Sequence, residues 1–330
     1  MTFAMSSRAC RGTATQLRRA CATASIVLLA AGISAASAQT APALTVVRVL
    51  ASPVDDVMPV LYAQRAGLFR QAGLDVQIDR ANSGAAASAA VMGGAVEIGK
   101  GNIMSVITAH AHSVPLVIVA PAAIYDPKTP DAALVVAAGS PIHNAHDLIG
   151  KVVGVTALND LSAVATETWL DQNGGDAKNT QFVEVPYPSL LPQLEAGRVQ
   201  AVILLKPFIN DAVNQKQATV LGLVYSAVSP RFLESVWYAN ADYIASHRDV
   251  IARFQRVVAQ ASAYTNTHPA DTVDLLVSFT GLEPQRAALV ARMVNGTDVR
   301  AQEIQPVIDI AAKFNLIPKA FPAQEIIPQK

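Results

Sequence analysis

The sequence predicts an α/β protein with largely parallel sheets. Apolar runs of strand length alternate with helix-length segments through the first two thirds of the chain, the pattern that strand–helix–strand units leave behind. Proline and glycine punctuate the helix-length segments at their starts and ends. A faint internal repeat adds a second unit. A strand leads to Ser83-Gly84, a helix and Gly94-Ala95-Val96-Glu97-Ile98; later another leads to Ser189-Leu190, a helix and Gly197-Arg198-Val199-Gln200-Ala201. Two similar α/β lobes facing one another, with a ligand cleft between them, fit that repeat.

The elements follow in order. The strand "LTVVRVLAS" leads through the turn "PVDDV" to a helix from about Pro59 that stops at Gly67. Next come the strand "LDVQID", the helix "GAAASAAVMGG", the strand "AVEIG" and a helix from about Asn102. The strands "PLVIVAPAAIY" and "AALVVAAG" are joined by "DPKTPD", whose Pro and Asp residues mark a turn. In the second unit, "HNAHDLIGKVVGVTALND" reads as a short helix, a strand and a polar turn, and "LSAVATETWLDQNGG" as a helix closed by glycines. Strand, turn, helix and strand follow in "QFVEVPYPSLLPQLEAGRVQAVILLKPF". After one more strand, "SVWYANADYI", the periodic apolar positions of "DVIARFQRVVAQASAYTNTH" and "PQRAALVARMV" predict helices.

The first 38 residues carry Arg8, Arg11, Arg18 and Arg19 and no acid, then the apolar run "ATASIVLLAAGISAA" and the small-residue end "ASA". They predict a secretory signal peptide cleaved after Ala38. Arg18-Arg19 raises the twin-arginine route, although "QLRRACA" is a poor version of that signal. Cys10 and Cys21 both fall in this segment, so the mature chain is expected to hold no disulfide, thiol nucleophile or thiolate ligand. Residues 39–330 retain 21 basic and 25 acidic side chains, a net −4 that excludes a basic nucleic-acid surface. Gly101 to Tyr125 carry no charged residue, but His110, His112, Pro115 and Pro121 interrupt the run. A buried helix followed by a buried strand is the reading, not a membrane span.

"GGAVEIGKGN" comes within one residue of a phosphate-binding loop. Gly94, Gly99 and Lys100 fit its spacing, but Gly101 stands where the magnesium-holding Ser or Thr belongs. The motif also needs its glycines in a loop, whereas here "AVEIG" reads as a strand and Lys100 to Asn102 as the turn after it. The match is accidental on this reading. His110-x-His112 and His143-x-x-His146 are spaced suggestively, and the second pair would share a helical face. No third ligand is evident, so no metal is expected.

"MPVLYAQRAGLFRQAGLDVQI", "SGAAASAAVMGGAVEIG", "IHNAHDLIGKVVGV" and "LPQLEAGRVQAVILLKP" resemble, in this order, segments of the solute-binding proteins of ABC importers for sulfonates, nitrate and thiamine precursors. These are type II periplasmic binding proteins related to thiamine-pyrimidine synthase. The resemblance runs from about Val46 to the end and weakens after residue 270. It implies two doubly wound lobes, one from residues 39–137 plus 233–330 and the other from 138–232. It further implies a small-molecule solute in the central cleft, a periplasmic location, a monomer, no cofactor, and an inner-membrane permease with its ATPase as partners.

Helix N-termini facing such a cleft offer unpaired N–H groups and partial positive charge. Four junctions are candidates. Asp55, Asp56 and Met58 open the first helix, Ser83 and Gly84 the second, Gly101 and Asn102 the third, and Asn159 and Asp160 the first long helix of the second lobe. Ser83-Gly84 leads, because Gly admits a ligand to the backbone and Ser adds a hydroxyl; alternatively Ser83 simply caps an Ala-rich helix. Asp55 and Asp56 would suit a ligand amine or serve as helix-opening acids. Asp160 either points away as a cap or meets a ligand bearing donors. In the family, the place of Lys206-Pro207 often holds an acid before proline, so Lys206 departs from the pattern and suits an anion. Tyr125 and Phe208 are the aromatic candidates, with Tyr187 and Tyr225 near predicted loops and core the alternative for each.

The competing class is an enzyme like the pyrimidine synthases of thiamine biosynthesis. Those carry a cysteine-rich iron motif, which residues 39–330 lack, and neither a G-x-S-x-G elbow nor an H-E-x-x-H motif occurs. The expectation is therefore a non-enzymatic receptor for a small organic anion, a sulfonate or aromatic carboxylate, with a thiamine-type pyrimidine as the alternative ligand. Delivery to a membrane sensor instead of a permease stays open.

Overall fold

The computed structural model describes residues 43–327. The segment predicted to be a signal peptide, with both cysteines, lies outside them. Strand β1 (Thr45–Ala51) buries Val47, Val49 and Ala51 and turns the intervening residues outward, the two-residue period of a half-buried strand. Helix α1 (Met58–Arg65) has Pro59 in its first turn and stops where Gly67 adopts φ +72°, a conformation glycine reaches without steric penalty. Then come α2 (Leu68–Gln71), β2 (Leu74–Arg80), α3 (Gly84–Met92), β3 (Ile98–Asn102), α4 (Met104–Ala111), β4 (Leu116–Pro121) and β5 (Ala123–Tyr125). The chain continues through β6 (Ala132–Ala137), β7 (Val152–Val155), α5 (Leu161–Gln172), β8 (Gln181–Glu184), α6 (Leu190–Glu195), β9 (Ala201–Leu205), α7 (Phe208–Asn214) and β10 (Ala218–Gly222). It closes with β11 (Phe232–Leu233), β12 (Ser235–Asn240), α8 (Ala241–Ser246), α9 (Arg248–Thr267), α10 (Val273–Thr280), α11 (Pro284–Ala287), β13 (Val294–Asn295) and α12 (Ala301–Lys313).

Two five-stranded sheets organise these elements, in the orders β2-β1-β3-β12-β4 and β10-β6-β9-β7-β8, with a small sheet β11-β5-β13 beside them. Each large sheet is parallel except for one reversed strand: β12 in the first and β6 in the second. The α/β class is as the alternation predicts. The chain leaves the first sheet after Pro121, passes through β5 of the small sheet, enters the second at Ala132 and is back in the first by Ser235.

Apolar side chains from both faces of the first sheet form its core. Phe254 of α9 is fully buried, with its ring 5.4 Å from Phe69 and 6.2 Å from Trp237. Each side chain of this size contributes ~1.5–3 kcal/mol when buried. The charge-free stretch from Gly101 forms α4 and β4, with Ile103, Met104, Val106 and Ile107 buried. Among the described residues no helix is long and apolar enough to cross a membrane.

Three sequence expectations shift. The run "AALVVA" reads as part of the first lobe, ahead of the boundary at 137, yet β6 pairs with β9 in the second sheet, Ala132 opposite Leu205. An apolar run carries no address, so the partner strand decides its sheet. "AVEIG" reads as the strand and Lys100 to Asn102 as the turn; β3 instead spans Ile98–Asn102 and contains Lys100. Its glycines make room for a ring, since a Cβ at Gly99 would lie 2.5 Å from Tyr238 Cε2 and one at Gly101 3.1 Å from Tyr238 Oη. Finally, His143 and His146 do not share a helical face. A single 3-10 turn covers His146–Leu148, and Asp147 accepts from the His143 and Asn144 N–H groups, which fixes a capping turn.

Candidate functional site

Two helix N-termini, one beside each large sheet, approach a common space. At α3, Ser83 is extended (φ −159°, ψ 164°) and its Oγ accepts from Ala86 N at 3.2 Å. This caps one of the helix's free N–H groups and leaves those of Gly84 and Ala85 at the cavity wall. At α5, Asp160 is the cap. Its Oδ1 accepts from Ser162 N at 2.8 Å and Ala163 N at 3.3 Å, and its Oδ2 from Thr156 Oγ1 at 2.8 Å. The same Oδ2 accepts from Asn102 Nδ2 at 3.2 Å, joining the end of β3 to the cap of α5.

Between these termini lies a cavity of about 440 Å³, walled by Ser83, Gly84, Ser105, Thr156, Asn159 and Glu184 among others. A recess of about 50 Å³ shares Gly84, Asn102, Thr156 and Asp160 with it and is floored by Tyr187, Tyr225, Lys100 and Glu234. The wall is polar and short of free cations. Among the described residues Lys100 is the only Lys or Arg lining either space, and its Nζ is paired with Asp56. Asp56 also accepts from Ser235 Oγ at 2.5 Å. Burial raises the carboxyl of Asp160 while its hydroxyl and N–H partners pull it back. Burial likewise drives Glu234 well above the usual carboxylate range, and the Asp131 and Asp56 carboxylates add to the effect.

Residues 55–272 match the sequence model of the family described as NMT1/THI5 like. The chain belongs to the NMT1/THI5-like family. Solved structures place its fold as well. The periplasmic aliphatic sulphonate binding protein SsuA from Escherichia coli superposes with a TM-score of 0.69 at 21% identity, over 86% of this chain and 97% of that one. The alkanesulfonate-binding protein SsuA from Xanthomonas axonopodis pv. citri bound to MOPS gives 0.71 at 15% identity, over 88% and 100%. The nitrate-binding protein NrtA from Synechocystis PCC 6803 gives 0.70 at 13% identity, over 86% and 85%. No curated protein matches the chain in sequence. At these identities the likeness is one of fold, that of the periplasmic binding proteins.

In this NMT1/THI5-like chain the structure brings together Ser83, Gly84, Gly101, Asn102, Asn159 and Asp160, all of which line the cavity or its recess. The other six candidates lie behind the wall. Asp55 accepts from Arg292 Nε and Met293 N, both at 2.6 Å, so its charge is already answered. Asp56 serves Lys100 and Ser235, and Met58 is core. Tyr125 is buried against Tyr225 and Phe232 and bonds Ser226. Phe208 opens α7, its ring 6.1 Å from that of Tyr187. Lys206 is 2% exposed and donates to the carbonyls of Thr129 and Arg292, each at 3.2 Å. Asp131 sits beside it as the favourable charge, while burial lowers the Lys206 ammonium.

Several lining residues carry no local motif, among them Thr156, Ser88, Ser105 and Thr108. Glu234 has one signal, a lone acid inside the apolar run "FLESVWYA". An acid there is buried or turned towards a cavity, and here both hold.

Proposed function

We propose that this chain is the exported solute-binding component of an ABC import system. It would hold a small organic molecule between two lobes, one built on each large sheet, and present it to a membrane permease driven by its ATPase. The supporting observation is the cavity of about 440 Å³ whose wall comes from both sheets and is crossed by the Asn102–Asp160 hydrogen bond. Its dimensions suit a small ligand, and the reading calls for capture and release without chemistry. The sulphonate- and nitrate-binding proteins that share the fold support it further.

An anionic or acceptor-bearing end of the solute, such as a sulfonate or carboxylate, would meet the free N–H groups of Gly84 and Ala85 at α3. Lys206 plays no part in this proposal. A second reading, a thiamine-type pyrimidine, draws support from the acceptors around the recess, which ask for N–H donors.

A thermal-shift screen of the exported form against sulfonates, aromatic carboxylates and aminopyrimidines tests both readings. A true solute at 100 times its Kd stabilises by about 2.7 kcal/mol. Asn159→Trp, at an exposed position on the cavity wall, should abolish the shift by filling the cavity. A shift that survives this substitution would place the binding elsewhere.

A further inference from the structure

We infer that the recess is a subsite for a protonated amino or amidino group of the solute, with Glu234 as its counter-charge and Asn102 and Tyr187 as hydrogen-bond partners. The inference rests on the solute-binding reading above and specifies one end of the solute. Glu234 is 2% exposed and lies where the chain passes from β11 into β12. Its backbone is anchored on both sides, N–H to Ala123 O and C=O from Ile103 N, each at 2.9 Å. Its side chain keeps one oxygen free, since Oε2 has no hydrogen-bond partner among the described residues, although the Ser235 hydroxyl and the Lys100 charge act on the carboxyl. Asn102 Oδ1 and the Tyr187 hydroxyl are buried without a partner as well, and all three residues line the recess.

Buried polar atoms are nearly always paired, and three orphans around one small space call for a donor to fill it. The charge balance says which kind. Lys100 is paired with Asp56 and Lys206 sits beside Asp131, so among the described residues Glu234 has no cation of its own, although Lys100 still acts on it and the carboxyls of Asp131, Asp56 and, further out, Asp160 face it. The remaining titratable neighbours are the Tyr187 and Tyr225 hydroxyls, both pushed up by burial and therefore neutral. An anionic head group would find acceptors and like charge here, whereas a cation would find acceptors and an acid ready to ionise. Size agrees. A water needs roughly 10–15 Å³ of such space, so about 50 Å³ holds a head group of a few heavy atoms, with the body of the solute in the larger cavity.

Isothermal calorimetry with benzamidine, benzylamine, benzyl alcohol and benzenesulfonate on the wild type, Glu234→Gln and Tyr187→Phe tests the subsite. The two cations should bind the wild type at least tenfold more tightly than the isosteric alcohol. Glu234→Gln should weaken them at least tenfold and Tyr187→Phe severalfold, with benzenesulfonate changed less than twofold. Because burial and the neighbouring carboxylates raise the Glu234 carboxyl, a bound cation should pull it back down, and any proton it then gives up appears as a dependence of the heat on the buffer's ionisation enthalpy. If Glu234→Gln, folded as judged by circular dichroism, binds benzamidine as the wild type does, or if neither cation binds the wild type, the subsite is overturned. A sulfonate that still binds and is lost in Asn159→Trp would then leave the solute-binding reading standing.

Discussion

Asn102, at the end of a strand in the first sheet, donates from Nδ2 to Oδ2 of Asp160, the cap of a helix beside the second sheet, at 3.2 Å. The amide ties the two walls of the cavity through one hydrogen bond, while its own carbonyl has no hydrogen-bond partner among the described residues. Replacing Asn102 with Ala should cost about 0.5–1.5 kcal/mol in urea unfolding, the net worth of such a bond. Asn102→Asp should cost more than Asn102→Ala at pH 8 and converge with it at pH 4, because two carboxylates would face each other only when ionised.

The glycine beside Lys100 is a packing residue. A Cβ at Gly99 would sit 2.5 Å from Tyr238 Cε2 and 2.9 Å from Val91 Cγ2, both inside the core. Gly99→Ala should therefore destabilise by about 1–3 kcal/mol through overpacking. ATP should give no thermal shift in the wild type or the variant; a shift in the wild type would revive the phosphate-loop reading.

Arg286 grips Asp211 with two parallel bonds, Nε to Oδ1 at 2.8 Å and Nη2 to Oδ2 at 2.9 Å, joining α11 to α7. The carboxylate is 8% exposed and the guanidinium 36%, so solvent screens the pair in part. Arg286→Ala should cost about 1–2 kcal/mol, between the values for exposed and buried pairs. Arg286→Lys should recover only part of this, since an ammonium cannot make the fork. Equilibrium unfolding of the two variants separates these outcomes.

Four carboxyls, those of Asp55, Asp131, Asp160 and Glu234, are raised above their ordinary range, with loss of solvation the largest cause for each, and Asp131 is pushed up to about 8. A raised acid binds its proton more tightly in the folded state. Its contribution is complete below the unfolded value and is lost as pH rises through the folded one. The carboxyls of Asp147, Asp176, Asp249 and Asp274 are held low by hydrogen bonds and act in the opposite sense, losing their contribution in acid. The urea midpoint should therefore peak near pH 5 and fall towards pH 8. Asp131→Asn should flatten that fall, and an unchanged slope would remove Asp131 as a cause.

The features legible in the sequence obey local rules. Ser83 and Asp160 cap their helices because a short polar side chain can reach the N–H groups two or three residues ahead. Gly67 ends α1 because the left-handed turn there suits a residue without a Cβ. The four-segment resemblance adds the binding-protein fold, which the superpositions bear out.

The partners of the charged residues are not legible in this way, because each is set by a segment far along the chain. Arg292 reaches Asp55 across 237 positions, and Lys100 reaches Asp56 across 44. Lys206 looks from the sequence like a free anion-binding lysine, yet it is spent on the carbonyls of Thr129 and Arg292. Glu234 is the opposite case: inconspicuous in an apolar run, it emerges as a buried carboxyl with one oxygen, Oε2, left without a partner among the described residues beside the cavity. Sequence by itself determined the α/β alternation, the helix caps and the family, because these depend on neighbours a few residues apart or on segments that keep their order. Only the tertiary structure decided which charges cancel and which face the cleft, because that balance is struck between groups that meet after the sheets have formed.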